Sequence, residues 1–308
     1  MQKLAGIFAA STTPIRPDLT IDVERLVRHC RWLLNEGGCD GVNLLGTTGE
    51  ATSFPVEQRL SAMRAIADSG LPMSRFMVGT GAAALHDALT LTTAARELKF
   101  AGALLLPPFY YKNIADDALE AYVARVIDGA CGGGGDFGLY LYHIPQVSTV
   151  PYPIAVVERL AKRFPNALAG IKDSSGDLEH AKALVERIPT IAVFPGAETL
   201  LGLAPEVNFA GCISATTNVT GAIVSRGWKV RATDEGARSL AAASAIRASL
   251  SESPVIASVK WTLAELHGDP EWRRVHPPLA PMPEADWLRL RSKLAESELF
   301  KADIHAAE

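Results

Sequence analysis

The amino-acid sequence predicts an α/β fold, a (β/α)8 TIM barrel with a C-terminal helical appendage. Two observations lead to this prediction: eight short apolar runs follow one another along the chain, and segments with helical periodicity separate them. Eight repeats of strand and helix fit a closed barrel, which commonly reaches about 250 residues as one domain. We therefore expect the barrel in residues 1–223 and the helical appendage in residues 224–308.

The eight predicted strands are continuously apolar, which is typical of parallel strands that helices cover. They are GIFAASTTPI from Gly6, GVNLLG from Gly41, FMVGTG from Phe76, GALLLPP from Gly102, LYLYHIP from Leu139, ALAGIKD from Ala167, IAVFPG from Ile191 and GCISATT from Gly211. An open doubly wound sheet is the alternative fold. It would typically place a glycine-rich phosphate turn after its first strand, whereas the first strand here ends in STTPIRPD.

Between the strands, apolar residues recur at helical spacing. Residues Ile21 to Asn35 and Pro153 to Arg163 each place apolar side chains on one stripe. Capping residues precede several of these segments, namely Thr20 or Asp22, Ser53 before Pro55, and Ser175 or Asp177. Beyond residue 223 the sequence shows helical patterns and no strand-like run, which predicts an all-helical C-terminal region.

Composition excludes several classes of function. Hydrophobic residues make up 48% of the 308 residues and the formal net charge is −4, so the chain has no basic surplus for nucleic-acid binding. No run approaches the ~20 apolar residues of a membrane span, and the N-terminus lacks the apolar core of a secretory signal. The four cysteines are scattered, which predicts buried thiols rather than disulfides or a zinc site. We expect a cytoplasmic protein without nucleic-acid or membrane partners.

Lys172 is the most informative residue, because it ends a predicted apolar strand. Active sites of such barrels lie at the C-terminal ends of the strands. A lysine in the barrel mouth would lose hydration, which favours the neutral amine that attacks ketones to form a Schiff base. A lysine that extends to solvent at the rim is the structural alternative, and the spacing alone does not separate the two.

Other strand ends carry polar residues that could assist such a lysine. Tyr142 can both donate and accept a proton, although a tyrosine with a satisfied hydroxyl is the alternative. His143 follows it and should point to the opposite face, among the helices, in a structural role. Thr47 and Thr48 lie in a glycine-flanked turn that could bind a carboxylate or simply join a strand to a helix.

Together these residues resemble the dihydrodipicolinate synthase / N-acetylneuraminate lyase family of class I, Schiff-base-forming pyruvate aldolases. The resemblance covers nearly the whole chain and rests on motifs that occur in the family's order. They are GTTGE from Gly46, PPFYY from Pro107, YHIP from Tyr142, GIKDSSGD from Gly170, GCISATTN from Gly211 and HPPLAP from His276.

The resemblance implies a role for each matching position. Lys172 would form the imine with a 2-oxo acid, Tyr142 would move protons, and Thr47 would link Tyr142 to Tyr110. Thr48 would hold the carboxylate of the substrate. The pocket would be lined by Gly196 and Ile213. Family members often donate the residue matching Tyr110 across a subunit interface, so a homo-oligomer, a tetramer or a dimer, is implied. No metal or organic cofactor is implied, because the protonated imine is itself the electron sink.

Two departures from the family pattern bear on the substrate. Dihydrodipicolinate synthases usually carry an arginine where this chain has Val147, and an asparagine where it has His143. Condensation with aspartate semialdehyde is therefore disfavoured. The sugar-binding run of sialic acid lyases reads Gly-Ala-Glu-Thr from Gly196 here, which disfavours sialic acid. Glu198 remains a candidate to bind hydroxyls of a shorter polyol chain.

The leading hypothesis is a lyase that cleaves a 2-keto-3-deoxy sugar acid or a similar 2-oxo acid to pyruvate and an aldehyde. A dehydratase of such an acid starts from the same imine and is the near alternative. Condensation of the dihydrodipicolinate synthase type is the next. A catalytically silent, ligand-binding barrel is the non-enzymatic alternative, against which the presence of Lys172, Tyr142 and Thr47 argues.

Overall fold

The computed structural model describes residues 3–132 and 136–301 and contains one eight-stranded parallel sheet. The strands are β1 (Gly6–Ala10), β2 (Gly41–Leu44), β3 (Phe76–Gly79), β4 (Gly102–Leu105), β5 (Gly138–His143), β6 (Leu168–Asp173), β7 (Ala192–Pro195) and β8 (Gly211–Ser214). Seven of the eight predicted runs contain a strand, and the fifth run misses only the first residue of β5, Gly138. The barrel prediction is confirmed, and the open doubly wound sheet is excluded.

The sheet curves into a nearly closed barrel. β1 pairs in parallel with β2 on one side and with β8 on the other. Each strand from β2 to β6 pairs in parallel with the next strand along the chain. Between the last two strands, the amide of Ala210 donates to the carbonyl of Val193 at 2.9 Å, directly before β8 begins. The C-terminal ends of all strands therefore meet at one mouth.

Helices surround the barrel and form the C-terminal region. They are α1 (Val23–Leu34), α2 (Val56–Ala67), α3 (Leu85–Glu97), α4 (Asp116–Val126), α5 (Pro145–Ser148), α6 (Ile154–Arg163), α7 (Leu178–Arg187), α8 (Thr199–Leu203), α9 (Thr217–Lys229), α10 (Asp234–Leu250), α11 (Val255–Leu266), α12 (Glu284–Leu294) and α13 (Glu298–Lys301). Within the described residues, no helix has both the length and the apolar character needed to cross a bilayer.

The expected helix starts are confirmed at two of three places. Asp22 accepts a hydrogen bond from the amide of Arg25 at the start of α1, and Asp177 accepts one from the amide of His180 at the start of α7. Ser53 does not cap α2, because it ends a short 3-10 turn and Pro55 occupies the N-cap position. A capping residue two positions too early cannot reach the free amides of the first helical turn.

The C-terminal region is helical throughout its described part, which ends at residue 301. The boundary expected at residues 223 and 224 falls inside α9, the helix that follows β8. α9 therefore completes the eighth strand–helix repeat, and α10 packs against α9 and α8. Residues 302–308 lie outside the described part of the chain.

A buried ion pair joins this region to the loop that follows β2. Lys260 on α11 donates to the carboxylate of Glu50, and both side chains are completely buried. The second oxygen of Glu50 accepts from the amide of His276 at 2.6 Å, and Lys260 also donates to the carbonyl of Arg274 at 2.8 Å. Burial lowers the pKa of Lys260, and the charge of Glu50 opposes that shift. Glu50 itself has a left-handed φ of 56°.

Glycine is required where β8 meets β1. Gly211 has a φ of +137°, and a Cβ there would overlap the carbonyl oxygen of Gly6. Gly268 after α11 also has a positive φ, +59°, but a Cβ there would meet no atom within 4 Å.

We expect Gly211→Ala to destabilise the protein by at least about 3 kcal/mol, because backbone overlap adds to conformational strain. Gly268→Ala should cost only about 1–2 kcal/mol, the strain of a left-handed residue alone. Urea denaturation of the two variants measures the difference. Equal costs would show that the β1–β8 contact does not restrict position 211.

We expect Lys260→Met to lower the free energy of unfolding by about 3–5 kcal/mol, because it leaves the buried carboxylate of Glu50 without its cation. The double variant Glu50→Gln/Lys260→Met should recover part of this loss, since no buried charge remains. Denaturant titrations of wild type, both single variants and the double variant give the coupling energy. Additive losses in the double variant would argue against a direct interaction.

Candidate active site

Lys172 lies inside the barrel at the C-terminal end of β6. Strand pairing places it beside Tyr142 on β5 and Phe194 on β7. The lysine is only 4% exposed, and its Nζ donates to the Tyr142 hydroxyl at 3.2 Å. The same nitrogen lies 4.3 Å from the centroid of the Tyr142 ring. The amine therefore faces the barrel interior and does not extend to solvent at the rim.

A second hydroxyl reaches Tyr142 from the loop after β2. Thr47 Oγ1 donates to the Tyr142 hydroxyl at 3.3 Å, so this oxygen lies between the threonine and the amine of Lys172. Burial acts to raise the pKa of Tyr142, but the Lys172 charge and the hydrogen bonds from Thr47 and Lys172 outweigh it. The pKa therefore lies below its ordinary value of 10. Tyr142 is thus placed to exchange protons with the Lys172 amine or a group bound to it.

Strand pairing also defines which side chains share the level of Lys172. The strands are tilted relative to the barrel axis. The residue at the same height two strands away is therefore found by following the strand pairings and then moving two residues towards the C-terminal end. The pairings from β2 to β4 make Leu104 level with Asn43, and those from β4 to β6 make Lys172 level with Leu104. The pairings from β8 to β2 add Ile213 to the same layer. Tyr142 and Gly196 lie one residue nearer the mouth.

The predicted pocket residues Ile213, Gly196 and Thr48 have different surroundings. Ile213 is buried among the interior apolar side chains. Gly196 donates its amide to the carbonyl of Asp173 at 2.6 Å, and a Cβ there would overlap the side chain of Ser174. Thr48 is 6% exposed, in a loop that the Thr13 hydroxyl fixes by donating to the carbonyl of Gly49 at 2.7 Å.

A cavity of about 160 Å³ opens at this mouth. It is lined by Leu45, Gly46, Thr47, Ala51, Thr52, Gly79, Gly81, Leu104, Leu106, Phe109, Tyr142, Val147 and Ser148. The cavity extends from the exposed rim, where Val147 is 60% exposed, down to Leu104 in the layer of Lys172. Its rim carries no charged side chain among these residues, and position 147 is apolar.

Tyr110 lies apart from the pair of Thr47 and Tyr142. It is 72% exposed, and its ring packs edge-on against Tyr111 at 5.4 Å. The Thr47 hydroxyl donates to Tyr142 and not to Tyr110. The expected link of Tyr110 to Thr47 is not made within one chain.

The structure gives Glu198 a position different from the expected one. Its side chain is completely buried and accepts hydrogen bonds from the hydroxyls of Ser214 and Thr216. Arg247 on α10 donates to the same two hydroxyls at 3.0 Å and lies 3.4 Å from the carboxylate. The expectation that Glu198 binds substrate hydroxyls is therefore corrected, because its oxygens bind the groups that attach α10 to the barrel.

Within the described residues, one cluster of three side chains brings potential metal-ligand atoms close together. Ligand atoms of His143, Asp173 and His180 lie within 4.8 Å of one another. His143 Nδ1 accepts from the amide of Tyr152 at 3.0 Å, and Asp173 pairs with His180 Nδ1 at 2.8 Å. The two imidazole rings are stacked 4.6 Å apart. Because residues adjacent to Tyr142 and Lys172 point to the opposite face, this cluster lies outside the barrel interior, and the structural role expected for His143 is supported.

Three important residues were missed by sequence reasoning. Lys260 and Asn43 each interrupt an apolar run, and a polar residue in such a run is the signal that could have identified them. Arg247 gave no local signal, because it lies on the exposed-looking α10, 49 residues from its partner Glu198.

Comparison with known proteins assigns the family. A model of the dihydrodipicolinate synthetase family matches residues 3–297. An uncharacterized DapA-like lyase of Chloroflexus aurantiacus is 36% identical over 219 residues, 71% of this chain and 72% of the relative. The 4-hydroxy-tetrahydrodipicolinate synthase of Thermus thermophilus is 34% identical over 214 residues, 69% of each chain. Dihydrodipicolinate synthase from Agrobacterium tumefaciens has a TM-score of 0.87 at 29% identity, with 95% of this chain and 99% of that chain covered. The chain therefore belongs to the dihydrodipicolinate synthetase family and is an enzyme of its lyase class.

Proposed function

We propose that this lyase forms an imine between Lys172 and a 2-oxo acid and cleaves a 2-keto-3-deoxy sugar acid or a similar substrate to pyruvate and an aldehyde. The observation that carries the proposal is the buried contact between the Lys172 amine and the Tyr142 hydroxyl, at 3.2 Å. A desolvated amine is a nucleophile for ketones, and an adjacent hydroxyl can move the protons that imine chemistry requires.

The reaction begins when the neutral amine of Lys172 attacks C2 of the substrate and water leaves, which gives a protonated imine. Tyr142, held by Thr47, then takes the proton of the C4 hydroxyl. The C3–C4 bond breaks, the aldehyde departs, and the electron pair moves into an enamine conjugated with the imine nitrogen. Protonation at C3 and hydrolysis release pyruvate and free Lys172. The protonated imine is the electron sink, so the proposal includes no metal or organic cofactor.

The proposal assigns the substrate carboxylate to the loop of Thr47 and Thr48. Thr48 is buried, and the hydrogen bond from Thr13 to Gly49 fixes the loop, which suits a carboxylate. Gly196 and Ile213 would line the substrate's path. Tyr110 is exposed in the single chain, and an aromatic side chain there would reach the Thr47 hydroxyl of a second subunit. We therefore propose a homo-oligomer, a tetramer or a dimer, as the active form.

The uncharged rim of the cavity supports a substrate whose aldehyde product carries no charge. Val147 lines the cavity and has no charge with which to bind a second carboxylate, which favours an uncharged polyol aldehyde over aspartate semialdehyde. Condensation of the synthase type is the second candidate, because the Thermus thermophilus relative, 34% identical, is a 4-hydroxy-tetrahydrodipicolinate synthase. A dehydratase would form the same imine and consume the same substrates, but it would release water and no pyruvate.

We expect Lys172→Met to abolish turnover, because no other described amine lies beside Tyr142. The assay measures pyruvate release from a panel of 2-keto-3-deoxy sugar acids, with aspartate semialdehyde plus pyruvate as the synthase test. Lys182→Met on the exposed side of α7 is the matched control and should keep full activity. Substantial turnover in Lys172→Met would refute the imine mechanism. Turnover of aspartate semialdehyde plus pyruvate, without cleavage of any sugar acid in the panel, would favour the synthase.

We expect Tyr142→Phe to lower kcat by about 10²–10⁴-fold, the usual contribution of a general acid–base group. Tyr122→Phe is the matched control, because the Tyr122 hydroxyl is buried on α4 without a hydrogen-bond partner in the described residues. Steady-state kinetics of both variants give the comparison. A similar loss in both, or no loss in Tyr142→Phe, would exclude the proposed proton transfer.

A further inference from the structure

Asn43 is a polar residue of the barrel interior to which no role has yet been given. Its side chain is 0% exposed, and neither its Oδ1 nor its Nδ2 has a hydrogen-bond partner in residues 3–132 and 136–301. The other polar side chains that face inward from the strands are paired: Tyr140 accepts from the amide of Leu4 at 2.9 Å, and Tyr142 binds Lys172. Native proteins rarely bury an amide unless it binds a water or a ligand.

The position of Asn43 connects it with the imine site. It shares the layer of Lys172 and projects from β2, on the opposite side of the barrel. Two residues that line the cavity at the mouth lie near Asn43. Gly46 follows β2, the strand that carries Asn43, and Leu104 lies in the same layer as Asn43. A Cβ at Gly46 would lie 2.8 Å from Asn43 Nδ2, so glycine leaves the space between the amide and the cavity open.

The chemistry of the amide limits what it binds. A primary amide offers both donors and an acceptor, which matches a hydroxyl or a water. A carboxylate only accepts, so it would leave Asn43 Oδ1 facing a like charge. The surrounding interior side chains, including Met77 and Leu104, are apolar, and a hydrogen bond there is stronger than in water.

We propose that the Asn43 amide binds the oxygen on C2 of the 2-oxo acid while that oxygen becomes a hydroxyl and leaves as water. This inference rests on the proposed imine function of Lys172. Tyr142 lies one residue nearer the mouth than Lys172. The C2 oxygen would therefore lie between the Tyr142 hydroxyl, which can protonate it, and the Asn43 amide, which holds it.

The step is balanced as follows. The Lys172 lone pair forms the N–C2 bond, the carbonyl π electrons move to oxygen, and one amine proton is transferred to that oxygen to give the carbinolamine hydroxyl. The Tyr142 hydroxyl then supplies one proton, the C2–O bond breaks, and water leaves. The nitrogen lone pair forms the C=N bond of the protonated imine, with the Tyr142 phenolate beside it. Asn43 holds the oxygen throughout, and in the reverse direction it holds the water that attacks C2.

The test uses Asn43→Leu and Asn43→Ala in the full-length protein. Each variant is mixed rapidly with pyruvate, quenched with borohydride at increasing times and analysed by intact mass. We expect the rate of adduct formation, and of its loss on dilution, to fall by about 10²-fold, the lower end for removal of one preorganised donor. The adduct level at equilibrium should stay unchanged, because a group that stabilises the leaving oxygen speeds both directions equally.

Thr262→Val is the control, because this buried threonine on α11 donates to the carbonyl of Ser258 and does not line the cavity. Thermal melting of Asn43→Leu should show no loss of stability, since an apolar group replaces an unpaired amide. Unchanged rates in both Asn43 variants would overturn the inference. A lower adduct level at equilibrium would overturn it too, because Asn43 would then stabilise the bound adduct, for example at its carboxylate, rather than the departing oxygen. No adduct in wild type would instead refute the imine function itself.

Discussion

The burial of the Lys172 amine beside the Tyr142 hydroxyl is the constraint on which the barrel mouth depends. An amine enclosed by apolar neighbours such as Phe194 and Ile213 is costly unless it has a hydrogen-bond partner. Tyr142 is that partner, and it requires Thr47 to hold its own orientation. Thr47 and Tyr142 therefore link the loop after β2 to the buried amine.

The same loop depends on a region that is distant in sequence. Glu50 ends the loop with a left-handed backbone and is held by Lys260 and the amide of His276. A buried carboxylate without its cation would be expensive, so the C-terminal helices and the loop must adopt their positions together. The network of Glu198, Ser214 and Arg247 makes a second such connection, between α10 and the end of β8. The appendage thus supports the site through two buried charged groups.

Much of the fold was predictable because local pattern and global architecture agree. Strands covered on both faces must be continuously apolar, so the eight runs were visible in the sequence, and a lysine at the end of one was conspicuous for its cost. Interactions between distant residues were not predictable. Glu198 looked like a pocket residue because its partner Arg247 gave no local signal, and the role of Asn43 depends on barrel register that only the structure shows. The resemblance to the family implied that Lys172 and Tyr142 act together, and the structure supplied the distance between them.

The central claim is that Lys172 forms an imine with a 2-oxo acid, and trapping tests it most directly. The protein is incubated with pyruvate, reduced with borohydride and examined by intact-mass and peptide mass spectrometry. The account predicts one reduced pyruvate adduct per chain, located on Lys172 and missing in Lys172→Met. A well-folded protein without an adduct, or with the adduct on another lysine, would contradict this claim. The fold and the family assignment would stand, but Lys172 would not be the imine-forming residue.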